Sequence, residues 1–591
     1  MNRAARVIPD VSTFAVDDGF WYSIPGHLID DLHLGSIVRV PLSGRRVRGW
    51  VVELAEEREG KLKDVSGISG ATPVFGPALL KSLRWAAHHY VTPVAVMLSR
   101  ATPPNLPRRL PAPVPVPNVT RRTHPLDDAV ARATSRLTSP MTALVANWHG
   151  MEWLNSLGPL LATGRSVLVI AASVLEVETL HEKATTVWRD LVVTVSGSDD
   201  ASDTSAWEAA QTPPRLVIGT PKTASWQIAD LGLAIVLEES RRAMKDRQTP
   251  TLHVRDVMQT RSRLEGFNLV FFGPTPGVEL LASGADVVRV RNRAWPLVEV
   301  IDRSEDAPGS GFLSSRAMAA IGATADSGRR VFVFTHRRIG AASTRCARCR
   351  VLRTCGNCGA RLGRVGKCPK CNAPTTSCSN CGGSEFEEMG TIPDRLVTEL
   401  NRRLGKNGAG VHPADNLVTV GTERDLAGLE PVSLAVAADV DGMLMGIGYR
   451  TSEEALRQLA RLGTLVTPGK GARLMLQTGK PESLLVVTMR RGDPIPYLER
   501  VLVERAREGF PPSTEMIAVE IRGAEPPTVA EDLDSLGDGR LTILGPMPVE
   551  DGRRWLIMGK LGRLRLELRP MVGRWRDKGA TVRIDADPID V

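Results

Sequence analysis

All eight cysteines of this 591-residue chain lie between Cys346 and Cys381, where they form four Cys-x-x-Cys pairs. A pair with this spacing places two thiolates on one tight turn, and two such pairs complete the tetrahedral four-sulfur shell of a structural Zn²⁺. A disulfide framework or an iron–sulfur cluster is the alternative. Disulfide frameworks are typical of small secreted domains, whereas this chain is long and carries no export signal. The sequence therefore predicts two closed, non-catalytic zinc sites, with two Zn²⁺ per chain.

The spacing of the pairs also indicates how they combine. The two inner pairs form a compact C-x2-C-x9-C-x2-C unit, which leaves the two outer pairs to close a second site around it. We expect this nested arrangement, while spacing alone leaves other pairings open. The outer site then has Cys346, Cys349, Cys378 and Cys381, and the inner site has Cys355, Cys358, Cys368 and Cys371. Few large apolar residues occur between Ala347 and Ser384, so zinc binding should supply most of the folding free energy and chelation should unfold the segment.

Length and hydrophobic patterning divide the chain into several modules, about three to five at roughly 100–200 residues per domain. Residues 1–104 contain the apolar or alternating segments Ser36–Val40 and Arg48–Leu54, which predict a β-rich module, and then a helical stretch, Pro77–Tyr90. The Pro-rich segment that follows, PPNLPRRLPAPVPVP, predicts an extended linker over 105–126.

Two sets of short apolar runs alternate with helical segments further along the chain, which is typical of parallel sheets covered on both faces. The first set lies within 127–300 and comprises Ser166–Ala172, Leu191–Val195, Arg215–Thr220, Leu233–Glu239 and Asn268–Gly273. The second set lies within 301–345 and 391–496 and comprises Val331–Arg338, Asn416–Glu423, Ser433–Asp441 and Ala472–Thr478. The cysteine module, 346–390, interrupts the second set and is therefore an insertion. Residues 497–591 form a last, arginine-rich α+β module.

Charge and composition exclude several classes of protein. Lys and Arg exceed Asp and Glu by nine, with a pI near 9.3, which favours an anionic partner such as nucleic acid. No apolar run reaches 18 residues and the N-terminus lacks the apolar core of a secretory signal, so we expect a cytoplasmic protein without membrane contact. Neither an HExxH zinc-protease motif nor a GxSxG nucleophile elbow occurs.

Several segments outside the cysteine module carry distinctive motifs. They are FWYSIP at Phe20–Pro25, the segment Gly35–Leu54, THRRIG at Thr335–Gly340, Gly390–Leu400, GTERD at Gly421–Asp425, REGFPPS at Arg507–Ser513, LGPMP at Leu544–Pro548 and DADPIDV at Asp585–Val591. Together with the order of the cysteines, they resemble the primosomal protein N′ (PriA) family of bacterial replication-restart DNA helicases. The resemblance covers almost the whole chain.

The resemblance implies an architecture and a function. The architecture is two RecA-like parallel-sheet lobes with a zinc-binding insertion in the second lobe, an N-terminal domain that binds DNA 3′ ends and a C-terminal DNA-binding domain. Members of the family bind abandoned or stalled forks, start primosome assembly and reload the replicative helicase. The implied partners are forked or single-stranded DNA, other primosome and helicase-loading proteins and single-stranded DNA-binding protein, and the implied location is the bacterial cytoplasm near the nucleoid.

The ATP motor is where the sequence departs from the family. A P-loop requires Gly-Lys followed by Ser or Thr, and none of the six Gly-Lys pairs of this chain meets that requirement. The segment Thr142–Trp153 stands in the place of the P-loop, and Leu237 stands where the family has the Mg²⁺-binding Asp, followed by Glu238, Glu239 and Ser240. FFGPTPG at Phe271–Gly277 replaces the coupling motif, and the arginine-finger segment is reduced to Arg461 and Arg473. We therefore expect two lobes kept as a scaffold, without ATP turnover and without catalytic residues.

The DNA-binding modules also differ from the family pattern. The winged-helix domain that usually follows the 3′-end module has no counterpart in the short linker after Asn105. Four positions match the family's 3′-end contacts, namely Phe20, Trp21, Gly44 in the turn after Ser43, and Lys63, but Trp21 replaces an acidic residue. Aromatic faces accept any base, so stacking on Phe20 or Trp21 is one interpretation, and burial of both in the core is the other.

Three hypotheses follow from the sequence. The first is a replication-restart factor that binds forks and recruits primosome proteins without unwinding DNA. The second is an active ATP-dependent 3′–5′ helicase with non-standard motifs, and fork-stimulated hydrolysis would distinguish it from the first. The third is a zinc-ribbon interaction protein with no specificity for DNA, which would bind forks and other polyanions with the same affinity and salt dependence.

Overall fold

The computed structural model describes residues 2–58, 61–107, 109–119, 123–137, 141–290, 295–306, 310–336, 344–349, 351–360, 362–363, 366–368, 371–388, 392–446, 448–522, 528–536, 541–549 and 552–589. Residues 337–340 of the THRRIG motif lie outside this set, as do the first two residues of Gly390–Leu400 and the last two of Asp585–Val591.

The N-terminal module is a five-stranded antiparallel sheet followed by two helices. Its elements are β1 Asn2–Pro9, β2 Phe20–Ser23, β3 Ile37–Leu42, β4 Arg45–Arg58, β5 Gly67–Ser69, α1 Pro77–His89 and α2 Val94–Ala101, with strand order β2-β1-β4-β3-β5. Apolar residues of the two helices, including Leu83 and Met97, pack into the core on one face of the next domain's sheet. The β-rich module is therefore joined to the first lobe by a shared core.

The linker contains no helix or strand in its described residues, 105–107, 109–119 and 123–126. It runs along the first lobe, where the guanidinium of Arg215 donates to the carbonyl oxygen of Ala112 at 3.2 Å.

The first lobe is a seven-stranded parallel sheet with helices on both faces. Its elements are α3 Asp127–Thr134, β6 Thr142–Val145, α4 Gly158–Ala162, β7 Ser166–Ile170, α5 Val174–Trp188, β8 Val192–Val195, α6 Asp200–Ala210, β9 Leu216–Gly219, β10 Leu231–Leu237, α7 Val254–Glu265, β11 Asn268–Gly273, α8 Val278–Ala282 and β12 Asp286–Arg289. The strand order is β12-β6-β11-β10-β7-β9-β8. In β10, Ile235 packs into one core and Val236 into the core on the opposite face, so the strand is apolar throughout.

The second lobe is a six-stranded sheet with the order β13-β22-β21-β14-β20-β19. Its elements are β13 Val298–Asp302, α9 Ser315–Asp326, β14 Val331–Phe334, four short strands of the cysteine module (β15 Thr344–Cys346, β16 Gly366–Lys367, β17 Pro374–Thr375 and β18 Phe386–Glu388), α10 Pro393–Leu404, β19 Ala409–Val411, β20 Val418–Gly421, β21 Leu434–Ala437, α11 Val440–Met443, α12 Thr451–Thr464, β22 Arg473–Thr478, α13 Leu484–Arg491 and α14 Ile495–Glu508. The six strands pair in parallel. Mixed α/β architecture with parallel sheets, as predicted from the apolar runs, is confirmed.

The C-terminal module is a four-stranded antiparallel sheet with two helices on one face. Its elements are β23 Glu515–Arg522, α15 Thr528–Leu536, β24 Thr542–Val549, β25 Gly552–Gly559, α16 Leu564–Asp577 and β26 Thr581–Ala586, in the order β24-β25-β23-β26. The inner face, which includes Val519, Ile557 and Ile584, packs with Val572 and Trp575 of α16. No helix in the described part of the chain combines the length and the apolar character required to span a bilayer.

Candidate functional site

The eight cysteine sulfur atoms form two groups of four. One group holds Cys346, Cys349, Cys378 and Cys381, and the other holds Cys355, Cys358, Cys368 and Cys371; within each group the sulfur atoms lie within 4.8 Å of one another. The outer two pairs thus form one group and the inner two pairs form the other, which is the nested arrangement. None of the eight cysteines forms a disulfide. The sulfur atoms of Cys349 and Cys378 are 3.7 Å apart, and those of Cys355 and Cys371 are 3.6 Å apart. A tetrahedron with metal–sulfur bonds of about 2.3 Å has edges of about 3.8 Å, so both groups are compatible with Zn²⁺.

Each four-sulfur group is built from tight turns that repeat along the module. The residue after the second cysteine of a pair has a left-handed backbone at Gly359, Asn372 and Gly382, with φ between 58° and 71°. The turn closes when the N–H of that residue donates to the carbonyl of the pair's first cysteine, at 2.9 Å in all three pairs. Glycine and asparagine are the residues that adopt this backbone with least strain. The local sequence therefore favours the tight turn that carries both thiols of a pair.

Backbone N–H groups also favour the thiolate form that binds metal. The N–H of Val351 donates to Cys349 and lowers the pKa of that thiol to about 6. The N–H of Ala373 does the same for Cys371, whose pKa is also about 6. A thiolate, rather than a thiol, is the ligand of Zn²⁺, and these N–H groups favour it at Cys349 and Cys371, whereas the pKa values of Cys358 and Cys381 are raised to about 12.

The cysteine module has very little apolar core of its own. In its described residues, the one cluster of buried apolar side chains is Cys355, Leu362 and Cys368. The guanidinium of Arg353 is buried, donates to the carbonyl oxygens of Gly363 and Thr375, and lies 3.9 Å from the centre of the Phe386 ring. The fold of this segment therefore depends on the two four-sulfur groups.

A third group of potential metal ligands, His89, Asp256 and Asp587, lies where the N-terminal module, the first lobe and the C-terminal module meet. Arginines already neutralise its carboxylates. Arg255 Nε is 2.8 Å from Asp256 Oδ1, and Arg565 Nη2 is 2.7 Å from Asp587 Oδ2. This group is an ion-paired junction between domains.

Indole rings fill the segment Thr142–Trp153, where the resemblance predicts a replaced P-loop. Trp148 is 2% exposed, and its Nε1 donates to Glu238 Oε1 at 2.7 Å. The Nε1 of Trp153 donates to the carbonyl oxygen of Trp148 at 2.8 Å, and the ring of His149 stacks on Trp148 with centroids 4.0 Å apart. A P-loop presents open backbone N–H groups to phosphate. Here bulky side chains occupy the turn after β6.

The predicted strand Leu233–Glu239 ends earlier, at Leu237, because the backbone turns at Glu238, which has φ of 50°. The turn directs Glu238 towards Trp148. The Oε1 of Glu239 accepts from the N–H of Gly277 at 2.6 Å, which joins the end of β10 to the FFGPTPG segment.

A network of buried ion pairs joins the two lobes across the cleft between them. Arg461 on α12 is at its centre with 1% of its side chain exposed. Its Nη2 is 2.8 Å from Glu176 Oε1 on α5, and its Nε is 3.4 Å from Glu238 Oε2, so it pairs with two carboxylates of the first lobe. Its Nη1 is 3.9 Å from Glu423 Oε1 in its own lobe. Arg241 also pairs with Glu176, and Arg457 pairs with Glu423 and Glu454. We define the interlobe network as Glu176, Glu238, Arg241, Glu423, Glu454, Arg457 and Arg461.

A second set of buried ion pairs joins the lobes beside the interlobe network. Glu279 of α8, in the first lobe, is 2.6 Å from Arg450 Nη2 and 2.8 Å from Arg505 Nη1, both in the second lobe. The two arginines also lie 5.0 and 4.8 Å from the centre of the Tyr449 ring. Arg473, the other arginine of the predicted finger segment, pairs with Glu299 inside the second lobe at 2.7 Å. Of the two predicted arginines, only Arg461 lies in the cleft.

Charge pairing determines the protonation of the buried carboxylates in the cleft. Burial by itself raises the pKa of Glu238, but Arg461 and Arg241 outweigh it, so its pKa lies below the ordinary value. Glu239, which is buried with weaker compensation from Arg255, has its pKa raised to about 7 by burial. Glu238 is therefore ionised in the folded protein, and its buried charge depends on the positive charge of Arg461.

A buried histidine near the cleft gives a testable pH dependence. His253 caps the start of α7, where its Nδ1 accepts from the N–H of Arg255 at 3.2 Å, and burial, together with Arg255, lowers its pKa from 6.5 to about 3. The unfolded chain binds a proton between pH 6.5 and 3 that the folded protein excludes, so stability falls as the pH falls through this window. A His253→Asn variant keeps a capping oxygen and does not titrate. We expect wild type to lose about 2 kcal/mol more than this variant between pH 7.5 and pH 5 in urea unfolding; equal losses would contradict the assignment.

The four positions predicted for 3′-end contact lie in the N-terminal sheet. Phe20 and Trp21 are the first residues of β2, and Phe20 is 41% exposed. Lys63 lies beside the end of β2, where its carbonyl oxygen accepts from the N–H of Ser23 at 2.9 Å. Gly44 lies at the tip of the β3–β4 hairpin with φ of 80°. The structure places Phe20 and Trp21 in β2 and Lys63 beside the end of that strand, whereas Gly44 lies on a separate turn.

Two arginines that the sequence interpretation missed flank Trp21. Arg6 lies opposite Trp21 in the register of β1 and β2, with its guanidinium carbon 5.9 Å from the ring centroid. The guanidinium carbon of Arg58, at the end of β4, is 4.2 Å from the same ring. No local pattern marks Arg6, because Ala5 and Val7 on either side of it are both buried. Trp21 is thus part of a basic and aromatic surface, and not a core residue.

Comparison with known proteins agrees with this arrangement. The family model for the PriA 3′DNA-binding domain (3′BD) matches residues 6–103, which comprise the N-terminal sheet and both of its helices. The probable replication restart protein PriA of Mycobacterium leprae is 26% identical over 91% of this chain and 90% of its own length. The corresponding protein of Mycobacterium tuberculosis strain H37Rv is 25% identical with the same coverage, and replication restart protein PriA of Haemophilus influenzae is 23% identical over 74% of this chain and 68% of its own length. The chain is thus similar to PriA replication restart proteins along about nine-tenths of its length, and residues 6–103 match the model of their 3′DNA-binding domain.

Proposed function

We propose that this protein is a replication restart factor that binds abandoned or stalled forks and promotes primosome assembly and reloading of the replicative helicase. The observation that carries the proposal is the 3′DNA-binding domain at residues 6–103. Its exposed Phe20 and the arginine-flanked Trp21 provide the two features that proteins use to hold a DNA strand, aromatic faces and positive charge. Forked DNA and primosome and helicase-loading proteins are the proposed partners, with single-stranded DNA-binding protein as a further one, and the bacterial cytoplasm is the proposed location.

The two parallel-sheet lobes act in this proposal as a scaffold without ATP turnover. Hydrolysis of a nucleoside triphosphate requires a phosphate cradle, a Mg²⁺ ligand and an arginine that reaches the γ-phosphate. In place of the cradle stands the buried Trp148, and in place of the metal ligand stands the apolar Leu237. Arg461 is neutralised by Glu176 and Glu238. These contacts support a cleft closed by protein side chains.

The cysteine module binds two structural Zn²⁺ in this proposal, each held by one of the two four-sulfur groups. When bound, zinc cross-links turns that have almost no apolar core of their own. The four protein ligands leave no open position for a substrate, so the module serves structure and recognition.

Fork binding and ATP hydrolysis, measured on the same zinc-loaded preparation, test this function. We expect tighter binding to a fork than to linear duplex DNA of equal length, and no fork-stimulated release of phosphate. Trp21→Ala should weaken fork binding about tenfold, because stacking contributes roughly 1–3 kcal/mol per base. Leu54→Ala, at an exposed apolar position of β4 in the same sheet, is the matched control and should bind as wild type does.

Each alternative function has its own outcome in this experiment. Hydrolysis that rises with forked DNA would establish an active helicase with non-standard motifs. Equal affinity and salt dependence for forks, linear duplex and heparin would instead establish a zinc-ribbon protein without DNA specificity.

A further inference from the structure

The loop between β1 and β2, residues 10–19, lies next to the residues proposed to hold a DNA strand. The register of the two strands ends at the pair Val7 and Phe20, so the loop leads directly into the exposed ring of Phe20. β2 is an edge strand of its sheet, with β1 as its neighbour. The position of this end of β2 therefore depends on the loop. We define the strand-end site as Arg6, Phe20, Trp21 and Arg58.

The loop is anchored on the C-terminal module. The Oδ2 of Asp17 accepts a hydrogen bond from Arg569 of α16, and its Oδ1 accepts from the N–H of Val94 at 2.7 Å. The ring of Phe14 packs against the apolar core of the C-terminal module. The guanidinium carbons of Arg569 and Arg576 are 4.9 and 5.7 Å from the centre of that ring. Asp17 has 13% and Arg569 has 22% of its side chain exposed, so the ion pair between them is largely shielded from water.

The same arginine also contacts the helices of the N-terminal module. The Nη1 of Arg569 donates to the carbonyl oxygen of Ala87 at 3.4 Å, and Arg565, one turn earlier on α16, donates through Nε to the carbonyl oxygen of His89 at 2.8 Å. Both carbonyl groups belong to the last turn of α1, where they have no partner within the helix. The C-terminal module therefore holds the loop and the end of α1 with one helix.

Turn hydrogen bonds connect the anchored residues to Phe20. The N–H groups of Asp17 and Gly19 close two successive turns, with N···O distances of 3.1 and 2.9 Å. Gly19 has φ of 66°, and a Cβ at this position would lie 2.8 Å from the carbonyl oxygen of Val7, so the loop backbone fits closely against β1. Only two residues separate Asp17 from Phe20. A displacement of Asp17 therefore displaces the ring of Phe20.

We infer that Arg569 is a positioning residue for the strand-end site. This inference rests on the proposed function, and it gives the C-terminal module a role that requires no contact between Arg569 and DNA. While Arg569 holds Asp17 and Phe14, the loop keeps Phe20 in the position that binds the strand end. Without this contact the loop occupies that position for part of the time, and the apparent affinity falls in proportion to the competent fraction.

Two forks of the same sequence test the inference by fluorescence anisotropy. In the first fork a strand has its 3′ end at the junction, and in the second fork that strand is absent. We expect Arg569→Met to raise the Kd for the first fork about fivefold and to leave the Kd for the second unchanged, because only the first engages the strand-end site. Arg574→Met removes an exposed arginine of the same helix that pairs with Asp532 of α15, and this control should bind both forks as wild type does.

The other partner of the ion pair provides an independent variant. Asp17→Asn keeps an oxygen for the N–H of Val94 but loses the charge that pairs with Arg569, so it should show the same selective loss. The double variant Asp17→Asn/Arg569→Met should bind no more weakly than either single variant, because both changes break one contact and independent losses would multiply. Arg569→Lys retains the charge and should recover part of the preference for the first fork.

Each other outcome overturns the inference in a different way. An Arg569→Met protein that keeps the preference of wild type for the first fork would show that the loop is positioned without the C-terminal module. Equal losses on both forks would show a general defect in place of a positioning role. If Arg569→Met does not fold, the same two readings of Asp17→Asn decide. Wild type that binds forks without regard to the 3′ end would remove the strand-end site and this inference, whereas wild type that binds no fork more tightly than linear duplex would overturn the proposed function.

Discussion

Removal of zinc is expected to unfold residues 344–388 while both parallel-sheet lobes remain folded. A structural zinc contributes roughly 10–16 kcal/mol of apparent binding free energy at pH 7, and in this module that energy has little apolar burial to supplement it. The buried apolar clusters of the second lobe are formed by described residues outside the insertion. The insertion lies between β14, which ends at Phe334, and α10, which begins at Pro393. Its unfolding therefore leaves the sheet intact.

Single cysteine variants make this prediction specific to each site. Cys371→Ser should reduce the zinc content from two ions per chain to one and increase hydrogen exchange in the inner group, and Cys381→Ser should do the same for the outer group. Ser377→Ala, an exposed position of the same module, should keep two ions. Zinc analysis with hydrogen exchange and far-UV circular dichroism checks the result. A Cys371→Ser protein that retains two zinc ions, or lobes that unfold with the module, would refute the assignment of the sulfur groups.

Some parts of this structure follow from local sequence alone. The strands of both lobes are short apolar runs because a parallel sheet is covered on both faces, so each strand could be predicted without knowledge of its neighbours. The tight turns of the Cys-x-x-Cys pairs were equally predictable, since that spacing constrains a turn irrespective of its surroundings. In both cases the signal and the structure span a few consecutive residues, whereas the grouping of the pairs joins cysteines up to 35 positions apart.

The interlobe network could not be predicted in this way. Its members come from α5, the end of β10, the turn after β20 and α12, and each residue taken alone resembles a solvated surface charge. Only the folded chain shows that Arg461 meets Glu176, 285 positions away in sequence, with both side chains buried. The same applies to Arg6 and Arg58 beside Trp21, which three strands bring together. Contacts between distant segments carry no local pattern, and in this protein they form the cleft and the surface proposed to bind DNA.

Loss of Arg461 is expected to weaken the contact between the two lobes strongly. An Arg461→Met variant leaves Glu238 buried without its main counter-charge, and breaking a buried ion pair by removing one partner costs about 3–5 kcal/mol. The cost falls on the contact between the lobes, because Glu176 and Glu238 belong to one lobe and Arg461 to the other. We therefore expect wild type to unfold in urea in one transition that includes both lobes, and Arg461→Met to unfold at lower urea in two.

Two further variants separate the interlobe network from a general effect of losing an arginine. Arg473→Met removes the partly exposed pair with Glu299 inside the second lobe, and a pair with that exposure contributes about 0–1 kcal/mol. Adding Glu238→Gln to Arg461→Met removes the unpaired charge while the amide oxygen still accepts from Trp148, so part of the lost stability should return. Arg461→Met that unfolds as wild type does, or no recovery in the double variant, would show that the lobes are held by apolar packing. Recovery would show that buried pairs of carboxylates and guanidinium groups hold the two lobes together across the cleft.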